Sequence, residues 1–180
     1  KPFFKFLNKM GGTNEVKDID MYINTNLTVL PKELPHLLKP FRSAYILVSL
    51  DGIGEVNDYI RYPSKFQNIK ENIVKICTFS RLIPEIKVNC QLTVSNYNVF
   101  HVCDFYERIR DELPYFNGYP LIHFVQDEVD DIRTLPFDLK KKAKNKIFSY
   151  LERIDDDGCY YNEHASNQMR AILSFIDQRD

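Results

Sequence analysis

Residues 44–62 read AYILVSLDGIGEVNDYIRY, an apolar run that gives way at once to a polar turn with two glycines. The run 44–50 is nearly continuous in apolar character, which predicts a strand buried on both faces. Asp51 and Gly52 directly after it predict a tight turn at the end of this strand. Such a strand is typical of a parallel sheet, in which ligands bind at the carboxyl ends of the strands.

The segments around this strand alternate between strand and helix patterns. Three further strands are predicted, at 18–25, 86–95 and 119–125. Helical spacing of apolar residues predicts helices over 2–10, 31–39, 65–80 and 99–112. Because these crossovers are long enough to return the chain in parallel, the sequence predicts an α/β fold with about four parallel strands and right-handed connections.

The pattern changes after Val125. A charged loop leads to two helices, predicted over 137–153 and 161–178, with no strand between them. We therefore expect an α/β body over residues 1–127, followed by a helical extension over 128–180.

Composition excludes several classes of protein. The 180 residues include 24 Lys+Arg and 25 Asp+Glu, so the net charge is −1. A general nucleic-acid binder or membrane-surface binder would carry a basic excess. No apolar run approaches the roughly 20 residues that a membrane helix needs. With 13 Phe and 11 Tyr, the chain has enough apolar bulk for a real core.

The four cysteines, Cys77, Cys90, Cys103 and Cys159, form no CxxC pair and have no close histidine partner. That spacing excludes zinc-ribbon and thioredoxin-like sites, and no metal site is expected. The first three fall in predicted core elements, where a free cysteine behaves as a small hydrophobe. This pattern favours a reducing, cytoplasmic location.

Polar residues follow every predicted strand. They are Asn24-Thr25-Asn26, Ser49 with Asp51, Thr93 with Ser95 and Asn96, and Gln126-Asp127. Parallel strands end at the same edge of a sheet, so these groups predict a site rich in hydroxyl and amide groups. Turns also require polar residues, which is the alternative explanation at any single strand end.

The segment 48–62 has the richest chemistry. The Ser49 hydroxyl and the Asp51 carboxylate suit a ribose diol, and the Arg61 guanidinium suits a ligand carboxylate. Gly54 would let the backbone approach a ligand. As a dinucleotide fingerprint the segment is weak, because Asn57 stands at the third glycine position.

At this point the residues resemble the radical S-adenosylmethionine (radical SAM) enzymes, in the branch with SPASM or shorter twitch extensions. Members read TNG after the third barrel strand, where this chain has Thr25-Asn26-Leu27. They read S-[IL]-DG after the fourth, matched by residues 49–52, with an arginine soon after, matched by Arg61. The following strand runs into Asn96. The resemblance covers roughly residues 1–127.

The resemblance implies a partial (βα)6 barrel of the TIM type. It implies a [4Fe-4S] cluster that reductively cleaves S-adenosylmethionine, giving a radical that modifies a peptide or small molecule. Ser49 would bond the ribose, Arg61 would pair with the methionyl carboxylate, and Asp51 would support the same loop. Thr93 and Asn96 would lie near the adenosine or the substrate, and Thr25 and Asn26 belong to the matching motif.

The chain departs from the family in two places. It lacks the CxxxCxxC loop that holds the cluster and the GGEP segment that holds the amino group of S-adenosylmethionine. No cysteine present has the spacing to substitute. We therefore expect a truncated fragment that is inactive alone, holds no cluster and self-associates through an exposed strand edge.

Two other readings stay open. The chain could be a complete α/β module that binds a nucleoside or nucleotide without an iron–sulfur cluster. It could also be an unrelated doubly wound domain that uses residues 51–54 for a phosphate.

Several isolated residues have simpler interpretations. Residues 155–158 (DDDG) predict a solvated turn, because Arg153 and His164 would occupy two ligand positions of a calcium loop. His123 is expected to be a satisfied core histidine, with an inward-facing substrate contact as the alternative. The lysine run over 140–146 predicts a solvated helix face.

Overall fold

The computed structural model describes residues 2–11, 14–154 and 160–178, and a four-stranded sheet lies at their centre. All neighbouring strands are parallel, in the order β1-β2-β3-β4. This confirms the predicted α/β class and its four parallel strands. The strands are β1 (Asp20–Thr25), β2 (Ser43–Ser49), β3 (Ile86–Val94) and β4 (Leu121–Phe124).

Seven α-helices accompany the described strands. They are α1 (Pro2–Gly11), α2 (Leu34–Leu38), α3 (Glu55–Ile60), α4 (Phe66–Leu82), α5 (Val102–Glu112), α6 (Phe137–Ile154) and α7 (Tyr160–Ile176). Three short 3₁₀ turns cover Asn14–Asp18, Val99–His101 and Ile132–Thr134. Helix α3 is not among the elements predicted above, because six residues are too few to show a helical period.

The helices cover one face of the sheet. The strand order has no reversal, so right-handed crossovers place the connecting helices on the same face. On β2, Ala44, Ile46 and Val48 face these helices and are at most 1% exposed. Tyr45 and Ser49, on the opposite face, are only partly buried. The expectation that this strand is buried on both faces is therefore wrong.

The uncovered side of the sheet, called the open face below, carries aligned rows of side chains. The strand register places Tyr22, Tyr45 and Lys87 in one row, then Asn24, Leu47 and Asn89, then Ser49, Gln91 and Leu121, then Thr93 and His123. His123 is exposed here, so its expected place in the core is wrong. At the first row the Tyr22 and Tyr45 rings stack with centroids 4.8 Å apart.

The C-terminal helices pack onto the same hydrophobic cluster as the sheet. The Phe124 ring of β4 stacks on Phe175 of α7 with a centroid distance of 4.1 Å. The Tyr161 hydroxyl donates to the Tyr106 carbonyl over 2.7 Å. The two helices therefore extend the helical layer on the buried side of the sheet.

Some sequence-based expectations lie outside the described residues. The predicted turn at 155–158 and Cys159 belong to this group. Among the residues that the structure describes, no helix combines the length and the apolar character that crossing a membrane requires.

Candidate functional site

A cleft of about 490 Å³ opens where β2, β3 and β4 end. All three strands are parallel, so the loops that follow them meet at one edge of the sheet. The cleft is lined by Asp51, Tyr59, Ile60, Thr93, Ser95, Tyr97, Val125 and Asp130. Carboxylates, hydroxyls and aromatic rings therefore surround one concave space.

The Asp51 carboxylate is held by two partners. Its Oδ2 lies 2.8 Å from Arg61 Nη2, and its Oδ1 accepts the Thr93 backbone N–H over 3.1 Å. Asp51 is 8% exposed, so both contacts are largely shielded from water. Its charge is thus compensated, and the loop after β2 is tied to β3.

The turn at residues 51–54 rests on a buried asparagine. Asn57, which is 0% exposed, accepts the Asp51 backbone N–H on its Oδ1 over 3.1 Å. Gly54 has φ +60°, in the left-handed region that favours glycine. At Gly52 an added Cβ would lie 2.6 Å from Val56 Cγ1. The two glycines therefore allow the backbone conformation of the turn, and Asn57 stabilises the turn through a buried hydrogen bond.

Asn98 connects the ends of β2 and β3. This side chain is 1% exposed, and its Nδ2 donates to the carbonyls of Asp51 and Thr93 over 3.0 and 2.8 Å. Its Oδ1 accepts the Ser95 backbone N–H over 2.8 Å. Sequence reasoning missed Asn98, although a Ser-x-x-Asn spacing at a predicted strand end was available as a signal.

Two tyrosines and an aspartate form the rim of the cleft. The rings of Tyr59 and Tyr97 lie 6.1 Å apart at an angle of 57°, and the residues are 73% and 50% exposed. The nearby negative charge of Asp130 raises the pKa of the Tyr97 phenol. Sequence analysis did not find these three residues, because each comes from a different loop or helix and none belongs to a motif.

The predicted Ser49 and Thr25 lie outside the lining of this cleft. Ser49 is on the open face, where its Oγ accepts from Gln91 Nε2 over 3.1 Å. Thr25 shares a register row with Val48, so it faces the helices. Its Oγ1 accepts the Leu27 backbone N–H over 3.0 Å.

The predicted Asn26 and Asn96 support loops. Asn26 is exposed, and its Oδ1 accepts the Thr28 N–H over 3.3 Å. Asn96 donates from Nδ2 to the Val129 carbonyl over 2.8 Å and from its backbone N–H to the Asp130 carbonyl over 2.9 Å. The structure thus brings Asp51, Arg61 and Thr93 together, and it places Asn96 behind the loop that carries Asp130.

Cys77, Cys90 and Cys103 are free and buried, as expected. Burial raises the pKa of the Cys77 and Cys103 thiols to about 12 and that of Cys90 further. An iron–sulfur cluster takes its ligands from several thiolates grouped in space. Across 2–11, 14–154 and 160–178, no three His, Cys, Asp or Glu side chains are grouped to hold a metal ion.

No family model matches this chain, and the search of curated proteins gave no match.

Proposed function

We propose that this chain is the later part of a partial (βα)6 barrel of the radical SAM type, and that its cleft binds S-adenosylmethionine. The parent enzyme would cleave S-adenosylmethionine reductively and modify a peptide or a small molecule. The observation that carries the proposal is the cleft at the carboxyl edge, which is built from the segment resembling the family motif together with Thr93.

The sheet topology supports a barrel segment. Four parallel strands follow one another without a reversal, helices cover one face, and the other face presents aligned side chains. In a (βα) barrel that second face lines the interior. A doubly wound domain binds phosphate at a reversal of strand order, and the described strands have none.

The backbone at Leu27 also supports the resemblance. Leu27 stands where the family's TNG motif has glycine, and its φ is +52°. A left-handed φ is one that glycine adopts without steric cost and leucine does not. The positive φ of Leu27 is therefore consistent with a position that holds glycine in the family's motif.

The residues of the cleft suit a nucleoside with a charged tail. Hydroxyl and carboxylate groups suit a ribose diol. Arg61 contacts Asp51 and keeps a buried Nε with no hydrogen-bond partner among the described residues. Arg61 does not itself line the cleft, so its part in this proposal is to hold the Asp51 carboxylate in place.

The described cysteines give no support for a cluster within this part of the chain. Any cluster of the parent enzyme would need ligands from outside the residues described above. The three buried thiols are consistent with the proposed cytoplasmic location, where cysteines stay reduced.

A second candidate function is a nucleoside-binding module that does not use a cluster. The three described cysteines favour this second candidate, because they are buried and do not line the cleft. The coding DNA upstream of Lys1 distinguishes the two candidates. An in-frame CxxxCxxC loop and GGEP segment would support the enzyme, and a start codon immediately upstream would support the module.

Calorimetric titration of the chain with S-adenosylmethionine tests the shared binding proposal. Asp51→Asn should weaken binding about tenfold, since hydrogen bonds to charged groups contribute about 1.5–3 kcal/mol. Asp138→Asn, an exposed change in the first turn of α6, is the matched control and should not alter binding. Absence of heat from the folded chain, or equal affinity in both variants, would contradict the proposal.

A further inference from the structure

The tyrosine rim, meaning Tyr59, Tyr97 and Asp130, differs from the rest of the cleft. Two aromatic faces stand next to a carboxylate at the mouth of a concave space. Aromatic rings attract cations through their quadrupole, and a nearby carboxylate adds a Coulombic attraction. The rim therefore has the chemistry of a cation site.

The charges around the cleft strengthen this argument. Asp51 is neutralised by Arg61, whereas Asp130 takes part in none of the salt bridges formed within the described residues. Within the part of the chain that the structure describes, no lysine or arginine lines the cleft. A cationic ligand would therefore meet an uncompensated carboxylate, and an anionic one would be repelled by it.

The rim is also held in place. The Asp130 backbone N–H donates to Asp127 Oδ1 over 2.6 Å, and its carbonyl accepts from Asn96 over 2.9 Å. The Tyr97 N–H donates to Ser95 Oγ over 3.3 Å. These contacts fix the backbone of the two loops that carry Asp130 and Tyr97, and helix α3 carries Tyr59, which lowers the entropic cost of binding.

From these observations we propose that the tyrosine rim is a subsite for an ammonium group, with Tyr59 and Tyr97 contacting its alkyl substituents and Asp130 its charge. The inference rests on the proposed function, because the ammonium group is taken to be part of the molecule that the cleft is proposed to bind. A substrate amine, such as a lysine side chain, and the charged tail of S-adenosylmethionine share this chemistry.

The test is an NMR titration of ring-labelled tyrosine in the folded chain. The probe is n-butylammonium, with n-butanol as its neutral analogue. We expect n-butylammonium to shift the Tyr59 and Tyr97 ring signals saturably, and n-butanol to do so far more weakly. Asp130→Asn should weaken n-butylammonium binding roughly three- to tenfold, as for a partly exposed cation site. Tyr62→Leu, an exposed tyrosine outside the cleft lining, is the control and should leave binding unchanged.

The outcomes separate this inference from the proposed function. Equal responses to the two probes, or no weakening by Asp130→Asn, would overturn the ammonium subsite even if S-adenosylmethionine binds. Saturable n-butylammonium binding without S-adenosylmethionine binding would support the subsite and contradict the proposed function. Competition by 5′-amino-5′-deoxyadenosine but not by 5′-deoxyadenosine would assign the site to a nucleoside amine. Competition by a lysine peptide would assign it to a substrate.

Discussion

The Arg61 guanidinium lies 2.8 Å from the Asp51 carboxylate, and the two side chains are only 24% and 11% exposed. In this partly buried setting, removal of one partner leaves a charge without compensation. The pair joins the end of α3 to the end of β2, and Asp51 in turn contacts the Thr93 backbone. The edge of the cleft is therefore stabilised as a unit.

Arg61→Ala should destabilise the chain by about 1–3 kcal/mol, because it leaves the Asp51 carboxylate unpaired. The double variant Asp51→Asn with Arg61→Ala should be less unstable than the sum of the single variants. Urea unfolding of all four proteins measures this coupling. Strict additivity would show that the ion pair has no energetic role.

Asn98→Ala should cost about 2–4 kcal/mol, because it removes three buried hydrogen bonds and leaves backbone groups without partners. The Asp51 and Thr93 carbonyls and the Ser95 N–H lose their contacts. Asn68→Ala, on an exposed position of α4, is the control and should change stability by less than about 0.5 kcal/mol. Equal unfolding midpoints for the two variants would contradict the bridging role of Asn98.

Gly52→Ala and Gly54→Ala should both destabilise the turn, for different reasons. At Gly52 the new Cβ collides with Val56, whereas at Gly54 the space is open and the positive φ costs about 1–2 kcal/mol. Val56→Ala should therefore partly rescue Gly52→Ala and leave the cost of Gly54→Ala unchanged. Thermal denaturation compares the three single variants and the two double variants. Rescue of Gly54→Ala would contradict the assignment of strain to φ.

Asp20 should make stability sensitive to acid. Hydrogen bonds from Arg42, and then from Ser43, lower the Asp20 pKa from 3.8 to about 2. Because the pKa is lower in the folded chain, the contribution is fully present above the unfolded value and is lost as the pH falls toward the folded one. The stability difference between wild type and Asp20→Asn should therefore shrink from about pH 5 to about pH 2. Chemical denaturation at several pH values measures it, and a constant difference would contradict the linkage.

The outer edge of β1 should support self-association. No described strand pairs with that edge, and Tyr22 beside it is 72% exposed. Unpaired edges template further strand pairing, and a lysine there discourages it. Sedimentation velocity should show concentration-dependent association that Tyr22→Lys reduces and Tyr160→Lys, at a 67% exposed site on α7, does not. A monomer at all concentrations would exclude this edge as an interface.

Much of the sheet could be predicted from local patterns. The alternation in 86–95 and the apolar run in 44–50 predict β3 and β2 to within a residue, because side chains alternate between sheet faces with a period of two. The pattern does not reveal how many faces are covered. Leu47 and Tyr45 are apolar or aromatic and yet lie on the open face, so the apolar run alone overestimates burial.

The residues of the candidate site likewise fall into those that the sequence predicted and those that only the structure revealed. Asp51 and Thr93 were predicted because polar residues at the ends of parallel strands meet at one edge of the sheet. Arg61 was predicted as a ligand contact, and its pairing with Asp51 depends on where α3 ends. The tyrosine rim could not be predicted, because it depends on the distances between helix α3 and two separate loops.

The sequence by itself determined the strands and the longer helices, the parallel direction of the strands, and the polar character of the strand ends. These properties depend on local periodicity and on turn chemistry, which are properties of short segments. The tertiary structure decided which face stays open, how Asn98 joins two strands, and which side chains share the cleft. Those relationships depend on sheet register and loop paths, and both are fixed by contacts between residues that are distant in the chain.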